Sequence, residues 1–486
     1  MAQPRPRETR RAAGAILACA VLAALLRLPF VRTGLSMDEG GYAHVAREWA
    51  RGVPLYREAW LDRPQGLLLT YRLLLGLDPD GGAVRVGAMA AGATITVLVG
   101  LTGWLLAGRR VGTVAAALYA VVGVAPRIEG FTLIGELLAS VPAALAVTAA
   151  LLWRRYHTPA WLVVAGIAAG GAVTMKPSGL DGLTAALAVL AVTPGRHLRG
   201  YALLLAGVAV PLGLCALHAT TLGWSRYWHA LVGYQLAALG GTTTGADDRV
   251  SALLGSLGTV APELVALTVA AIAGAWSVRR HRPVTATLAA WLAGGLVGVN
   301  LGGSYWPHYW AQLLPPLTVL AAVAVTAVGT HRPALRTAAF GAVLLPQVVW
   351  LVALVPATPA QRHRAVPYAE AARRDARIAA AVRAGTRPDD RIFVLVSQAD
   401  IYFLADRRTD YPYLWGKPIE KIPDALPRLR AMLDGADRPR VVVLNHEPAR
   451  VDPSGQVGRI LDAHYRPWRE VDGAPLLRAV DRGVPR

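Results

Sequence analysis

Charge is scarce in this sequence. Only 17% of its 486 residues are Asp, Glu, Lys or Arg, against about 25% in a typical soluble protein, which excludes an ordinary cytosolic enzyme. A disordered chain is excluded too, because it needs low hydrophobicity and 54% of these residues are hydrophobic. Cysteine is nearly absent. Cys19 and Cys215 are the only two, and each lies inside a long apolar run, which removes a disulfide scaffold and a zinc ribbon. A Gly-rich phosphate loop and an internal repeat are also missing. Acidic charge is outweighed, with 31 Asp and Glu against 50 Lys and Arg for a net +19. Such an excess suits nucleic acid or an anionic membrane surface. Its placement decides: the basic residues punctuate apolar runs instead of forming one face, which argues against RNA or DNA.

What the sequence has is long apolar runs. A bilayer core needs about 20 apolar residues per helix, and reading for that length gives about eleven spans. They fall near 12–31, 84–107, 111–127, 131–152, 160–175, 178–193, 200–221, 258–277, 284–302, 311–329 and 337–356. Arg5, Arg7, Arg10 and Arg11 precede the first, which reads as an uncleaved helix because no small-residue cleavage pattern ends it. Arg109-Arg110, Arg154-Arg155, Arg196 with Arg199, Arg279-Arg280 with Arg282, and Arg332 with Arg336 fall between alternate spans. The positive-inside rule puts them and the N-terminus in the cytoplasm. The other loops then share the far side with the C-terminal segment, and acidic, aromatic and histidine residues gather there.

After residue 356 the composition turns soluble. Ile392–Val396 and Val441–Leu444 read as buried strands, with helices around Arg373, Arg374 and Asp375 and near 457–465, and a last strand near 475–480. The expected architecture is an all-α polytopic membrane domain over residues 1–356, with a first extracytoplasmic loop at 32–83. A small α/β extracytoplasmic domain follows over 357–486.

The first far-side loop carries the densest pattern. From Ser36 to Gly52 the texture is helical, with Ala43, Ala46, Trp49 and Ala50 on one face and Gly52 placed to cap the end. Ser36-x-x-Glu39 is a capping-box spacing. On that reading Asp38 and Glu39 only serve a helix N-terminus; on the other, Asp38 faces a membrane-proximal cavity as a base while Glu39 caps or assists. The Gly/Thr-rich stretch Gly240–Gly245 within loop 222–257 reads as a connector or a lid.

Asp38-Glu39-x-x-Tyr42 after a first membrane helix, then Ala46, Gly52, Pro54 and Tyr56, then Asp62 and Pro64, resembles membrane glycosyltransferases of the GT-C superfamily. The likeness is to the polyprenyl-phosphate-mannose protein mannosyltransferases and the bacterial aminoarabinose transferases. Trp306–Trp310 followed by Leu313-Leu314-Pro315-Pro316 is similar to a late-loop pattern of bacterial members. Arg63-Pro64-Gln65 departs from a common Lys-Pro-Pro and keeps the charge without the lysine geometry.

The resemblance implies an inverting transfer from a polyprenyl-phosphate sugar to a glycan, lipid or protein acceptor of the cell envelope. The reaction would run at the outer face of the plasma membrane, where no nucleotide-binding fold is needed. Asp38 would be the general base, with Glu39 as a support or second acid. Arg63, Lys176 and His308 would hold the donor phosphate. Tyr42, Asp62, Arg127, Glu136 and Tyr309 would line the substrate. Each has a plainer reading: a solvated turn for Asp62 and Arg63, an Arg127 pair with Glu129 or Glu136, a snorkelling Lys176, and an aromatic belt around His308. One histidine with scattered carboxylates is no metal signature, so no cofactor is expected, with a divalent cation left open at His308. The rivals are a transporter or flippase of lipid-linked substrates, which would need mid-span charges and related halves, and a non-catalytic envelope-assembly protein.

Overall fold

The computed structural model describes residues 6–480 apart from 196, 241–245, 329–332, 355 and 365. Arg5, Arg196, Arg332 and the candidate lid at 241–245 lie outside the described residues. Every expected span coincides with a helix. Eight are long and apolar enough to cross a membrane: Arg7–Phe30, Gly82–Ala107, Gly135–Tyr156, Leu198–Leu222, Asp248–Val278, Arg282–Leu301, Pro307–Val328 and Ala334–Leu354. The chain is a multi-pass membrane protein. The other three expected spans form shorter helices, Arg109–Val122, Ala160–Met175 and Asp181–Val192. Their ends have a local cause. Gly123 with Pro126, Pro177, and Pro194 with Gly195 follow them, and proline biases the residue before it out of helical conformation.

Glu8 and Arg109 are 2.9 Å apart, so the first helix begins at the end of the bundle where the first short basic loop lies. The far-side loops meet at the other end. The first of them folds into the helices Met37–Ala50 and Gln65–Leu77. Ser36 caps the former in a complete capping box with Glu39. Gly52, at φ +90°, follows its last turn, a backbone conformation that favours glycine.

The C-terminal segment builds a four-stranded sheet from β1 (Ile392–Leu395), β2 (Val441–Leu444), β3 (Tyr465–Val471) and β4 (Ala474–Ala479), in the order β1-β2-β4-β3. β1 and β2 run parallel with Ile392 opposite Val441. β4 is antiparallel to both β2 and β3. β3 was not foreseen. It is an edge strand whose Arg466, Pro467, Arg469 and Glu470 hide the apolar alternation, as charged and proline residues on edges do.

This sheet domain is seated on the first loop. Helix Asp400–Ala405 packs against helix Met37–Ala50, and a side chain at Gly40 or Gly41 would overlap Asp400, Ala399 or Trp415. Around that contact Arg47 and Arg51 each lie 3.1 Å from Asp406, and Arg408 lies 2.6 Å from Glu48.

Candidate active site

A cavity of about 530 Å³ opens where the far-side loops and the C-terminal domain converge. Asp38 and Tyr42 reach it from the first-loop helix, and Asp62 and Arg63 from the turn before Pro64. Glu129 comes from the loop after helix Arg109–Val122. Lys176 comes from the break after helix Ala160–Met175, and His308 and Tyr309 from the turn that opens the span Pro307–Val328. The described part of loop 222–257 is helical and adds Tyr234 and Gln235. The C-terminal domain adds Ser397, Trp415 and Lys417. Apolar side chains, among them Leu231, Leu236 and Leu301, border the same space.

Asp38 is half-buried, and its Oδ1 accepts a hydrogen bond of 3.0 Å from the Trp415 indole N–H. Burial pushes its carboxyl above the usual carboxylate range; His308, Arg63 and the Trp415 hydrogen bond pull the other way, and Glu129 adds to the rise. Helix-terminal position alone would have lowered it, so here desolvation wins. A base with a raised pKa is the more useful for taking a proton.

The cations are held in place by acids. Arg63 meets Asp62 Oδ2 at 2.6 Å, and that oxygen also accepts from Gln235 Nε2 at 3.0 Å. Lys176 Nζ lies 2.7 Å from Glu136 Oε1 and 4.2 Å from the centre of the Tyr309 ring. His308 Nδ1 lies 3.9 Å from Glu129 Oε1. Below the loop, Arg27 is fully buried and donates to the carbonyls of Ala23, Gly123 and Gly130, which ties the loop carrying Glu129 to the first helix.

Three expected residues stand elsewhere. Glu39 does not line the cavity. It is fully buried; its Oε1 accepts from Arg85 and from the Leu133 backbone N–H, both at 2.8 Å, and its Oε2 from the Ser36 N–H at 2.9 Å. The capping geometry turns it away from Asp38's side of the helix. Arg127 does not line the cavity either, and pairs with neither Glu129 nor Glu136. It faces Glu263 at 3.8 Å and the Thr259 carbonyl at 2.9 Å, because helix Ala246–Val278 passes beside it. Glu136 sits behind Lys176 instead of on the cavity surface. Among the described residues no group of three or more His, Cys, Asp or Glu forms a metal-ligand cluster.

No family model and no curated protein matches the chain. Solved structures do match in shape. Crystal structures of ArnT from Cupriavidus metallidurans align over almost the whole length. The form bound to undecaprenyl phosphate has a TM-score of 0.61 at 16% identity and covers 97% of this chain and 98% of that one. The apo form has a TM-score of 0.58 at 15% identity, with 96% and 97% covered. The Archaeoglobus fulgidus oligosaccharyltransferase tethered to an acceptor peptide has a TM-score of 0.55 at 13% identity, with 98% and 74% covered. The chain has a GT-C fold. The expected architecture, a GT-C-like helical membrane domain with a small C-terminal α/β part, is the observed one. The cavity lies between the helical bundle and the C-terminal domain, with Asp38 on the first loop of the bundle.

Several cavity residues escaped sequence reading. Trp415, Gln235 and Lys417 lie in stretches with no motif, far along the chain from Asp38. Arg85, which lies outside the cavity and holds Glu39, carried a signal, a charge at the start of a span, since such residues are paired or functional by default.

Proposed function

We propose that the chain is an inverting glycosyltransferase that moves a sugar from a polyprenyl-phosphate donor to a cell-envelope acceptor at the outer face of the membrane. The observation that carries this reading is the placement of Asp38, a carboxylate with a raised pKa in the wall of a cavity whose border also holds Arg63, Lys176 and His308. Support also comes from the GT-C fold shared with an ArnT structure that holds undecaprenyl phosphate.

In the proposed step an acceptor hydroxyl attacks the anomeric carbon from the face opposite the phosphate. The new C–O bond forms as the bond from the anomeric carbon to the phosphate oxygen breaks. The hydroxyl proton passes to Asp38, and the bonding electron pair leaves on the polyprenyl phosphate. Arg63, Lys176 and His308 stabilise the charge that grows there. Asp62 and Glu136 hold Arg63 and Lys176 in place, and Tyr42 and Tyr309 shape the wall around the sugar. The apolar border suits a lipid tail.

The test is transfer of labelled sugar from undecaprenyl-phosphate-linked mannose and aminoarabinose by the purified full-length chain, compared with Asp38→Asn. Loss of turnover with undecaprenyl phosphate binding retained supports the reading, and unchanged turnover rejects it. A transporter reading has less support, because the charged groups gather in loops at one end of the bundle.

A further inference from the structure

The C-terminal domain touches the candidate base directly. The Trp415 N–H that reaches Asp38 comes from a residue 377 positions along the chain, and the surrounding contacts hold that indole in one place. Its ring lies 6.1 Å from Tyr42, centre to centre. It also packs on Gly41, where any side chain would collide with it. The next residue is fixed by a 3.2 Å hydrogen bond from the Gly416 N–H to Ser397 Oγ, and Lys417 donates to Ser304 across the cavity mouth. Gly40 and Gly41 follow the Asp38-Glu39 pair immediately, so the segment that carries the carboxylate also carries the smooth surface on which the C-terminal domain rests, Asp400 against Gly40 and Trp415 against Gly41.

We propose that Trp415 is a positioning residue, through which docking of the C-terminal domain orients Asp38 toward the sugar and keeps it ionised for proton transfer. The inference rests on the glycosyltransferase reading above for what the base does, but not for how it is held. A carboxylate with one oxygen tied to an indole N–H presents the other, and the bond favours the charged form. The charged groups facing Asp38 from the packed elements are Arg63, His308, Glu129 and, from the C-terminal domain, Asp400. Tyr42 faces it from its own helix, Tyr71 from helix Gln65–Leu77 and Tyr309 from the turn that opens the span Pro307–Val328. Tyr42 also touches the Trp415 ring, and a ring retained at that position keeps the contact, which makes the indole N–H separable.

Trp415→Phe keeps a ring against Gly41 and Tyr42 and removes the N–H. The readout is the pH dependence of carbodiimide labelling at Asp38 in the purified full-length chain, followed by peptide mass spectrometry, since the reagent attacks only the protonated carboxyl. The labelling midpoint is expected to rise by about one pH unit, the size of a hydrogen bond to a charged group. The acid limb of sugar transfer is expected to move with it. A midpoint that moves by less than about 0.2 unit overturns the proposal. Should Trp415→Phe fail to fold, Gly41→Ala retains the indole but pushes it off the helix. The same upward shift is expected there, and an unmoved midpoint is again fatal. The two readings fail differently. Full turnover in Asp38→Asn removes the base role but leaves the labelling shift intact, whereas an unshifted midpoint with an inactive Asp38→Asn removes only the role of Trp415.

Discussion

Two buried ion pairs lie close together in this molecule, and they differ in what is left over. Under the first loop, Glu39 and Arg85 are 2.8 Å apart, and the carboxylate is fully engaged by the Ser36 and Leu133 amides. Arg85 reaches on to the carbonyls of Gly34 and Phe131 and to the Tyr368 hydroxyl. At the cavity, Lys176 meets one oxygen of Glu136 and an aromatic face, and its other protons find no acceptor among the described residues. The Glu39 carboxylate is bonded at both oxygens, and Arg85, whose buried Nε finds no acceptor among the described residues, joins it in fastening the first loop to the 131–133 segment and Tyr368, away from the cavity. A buried charge with donors to spare beside a cavity is poised to meet an anion. The lesson is that burial does not separate structural from functional charge here; an unmatched donor on the cavity wall does, since Lys176 lines the cavity and Arg85 does not.

Neutralising both pairs separates the two roles. Glu39→Gln with Arg85→Gln removes the network that ties the first loop to the 131–133 segment and is expected to lower stability by about 3 kcal/mol or more, since broken buried networks cost that much. Lys176→Gln with Glu136→Gln leaves a neutral, mutually bonded pair, expected to cost less than about 1 kcal/mol. The second variant is instead expected to lose sugar transfer by about 10²–10³-fold, the range for removing one preorganised charge-stabilising group. Denaturation in detergent and turnover of the same preparations check both. Equal stability losses, or retained turnover in the Lys176 variant, would erase the distinction.

The next effect is one of pH. Asp38 must be ionised to take a proton, and burial holds its pKa above the usual carboxylate value of about 3.9. Transfer is therefore expected to fall as pH drops through that raised value, with the acid limb of kcat/KM lying above pH ~4. The sign for stability is opposite. A raised folded pKa means the neutral form is preferred, so this group's contribution is largest at low pH and is lost as pH rises through the folded value. Asp38→Asn is accordingly expected to be inactive yet no less stable than the parent near pH 7. An inactive variant that also melts early would point to a fastening role like that of Glu39.

Smaller again is the cap. Ser36→Ala removes the hydroxyl that accepts from the Glu39 N–H at 3.3 Å, and caps of this kind are worth about 1 kcal/mol. Because Glu39 keeps Arg85 and Leu133, the loss is expected to stop there, and turnover to fall less than about tenfold.

How much of this was legible follows the same division. The helices behind the expected spans and the capping box were readable because each depends on residues near one another in sequence. Asp38, Arg63, Lys176 and His308 were readable as charged or polar groups in loops on one side of the bundle, and those loops do converge. Glu39 and Glu136 were not separable beforehand, because their partners Arg85 and Lys176 lie about 40 residues away and only the fold brings them together. The Trp415 contact was unreadable for the same reason at greater range. The glycine that admits it, Gly41, stood beside the motif without a stated purpose.

Arg127 gives the mildest test and the sharpest check on the criterion. Its guanidinium is about half exposed and 3.8 Å from Glu263, with one hydrogen bond to the Thr259 carbonyl. It is neither buried in a network like Arg85 nor turned into the cavity like Arg63. Exposed pairs of this geometry contribute about 0–1 kcal/mol. The Glu263 carboxylate keeps the Arg127 backbone N–H as a donor at 3.1 Å whatever the side chain, so Arg127→Ala leaves that acid partnered. Stability is therefore expected to change by less than about 1 kcal/mol and sugar transfer by less than about twofold. A large loss of transfer at unchanged stability would mean that the charged cluster around Glu129 extends past the cavity wall, and that a place on that wall is too narrow a guide to which charges matter.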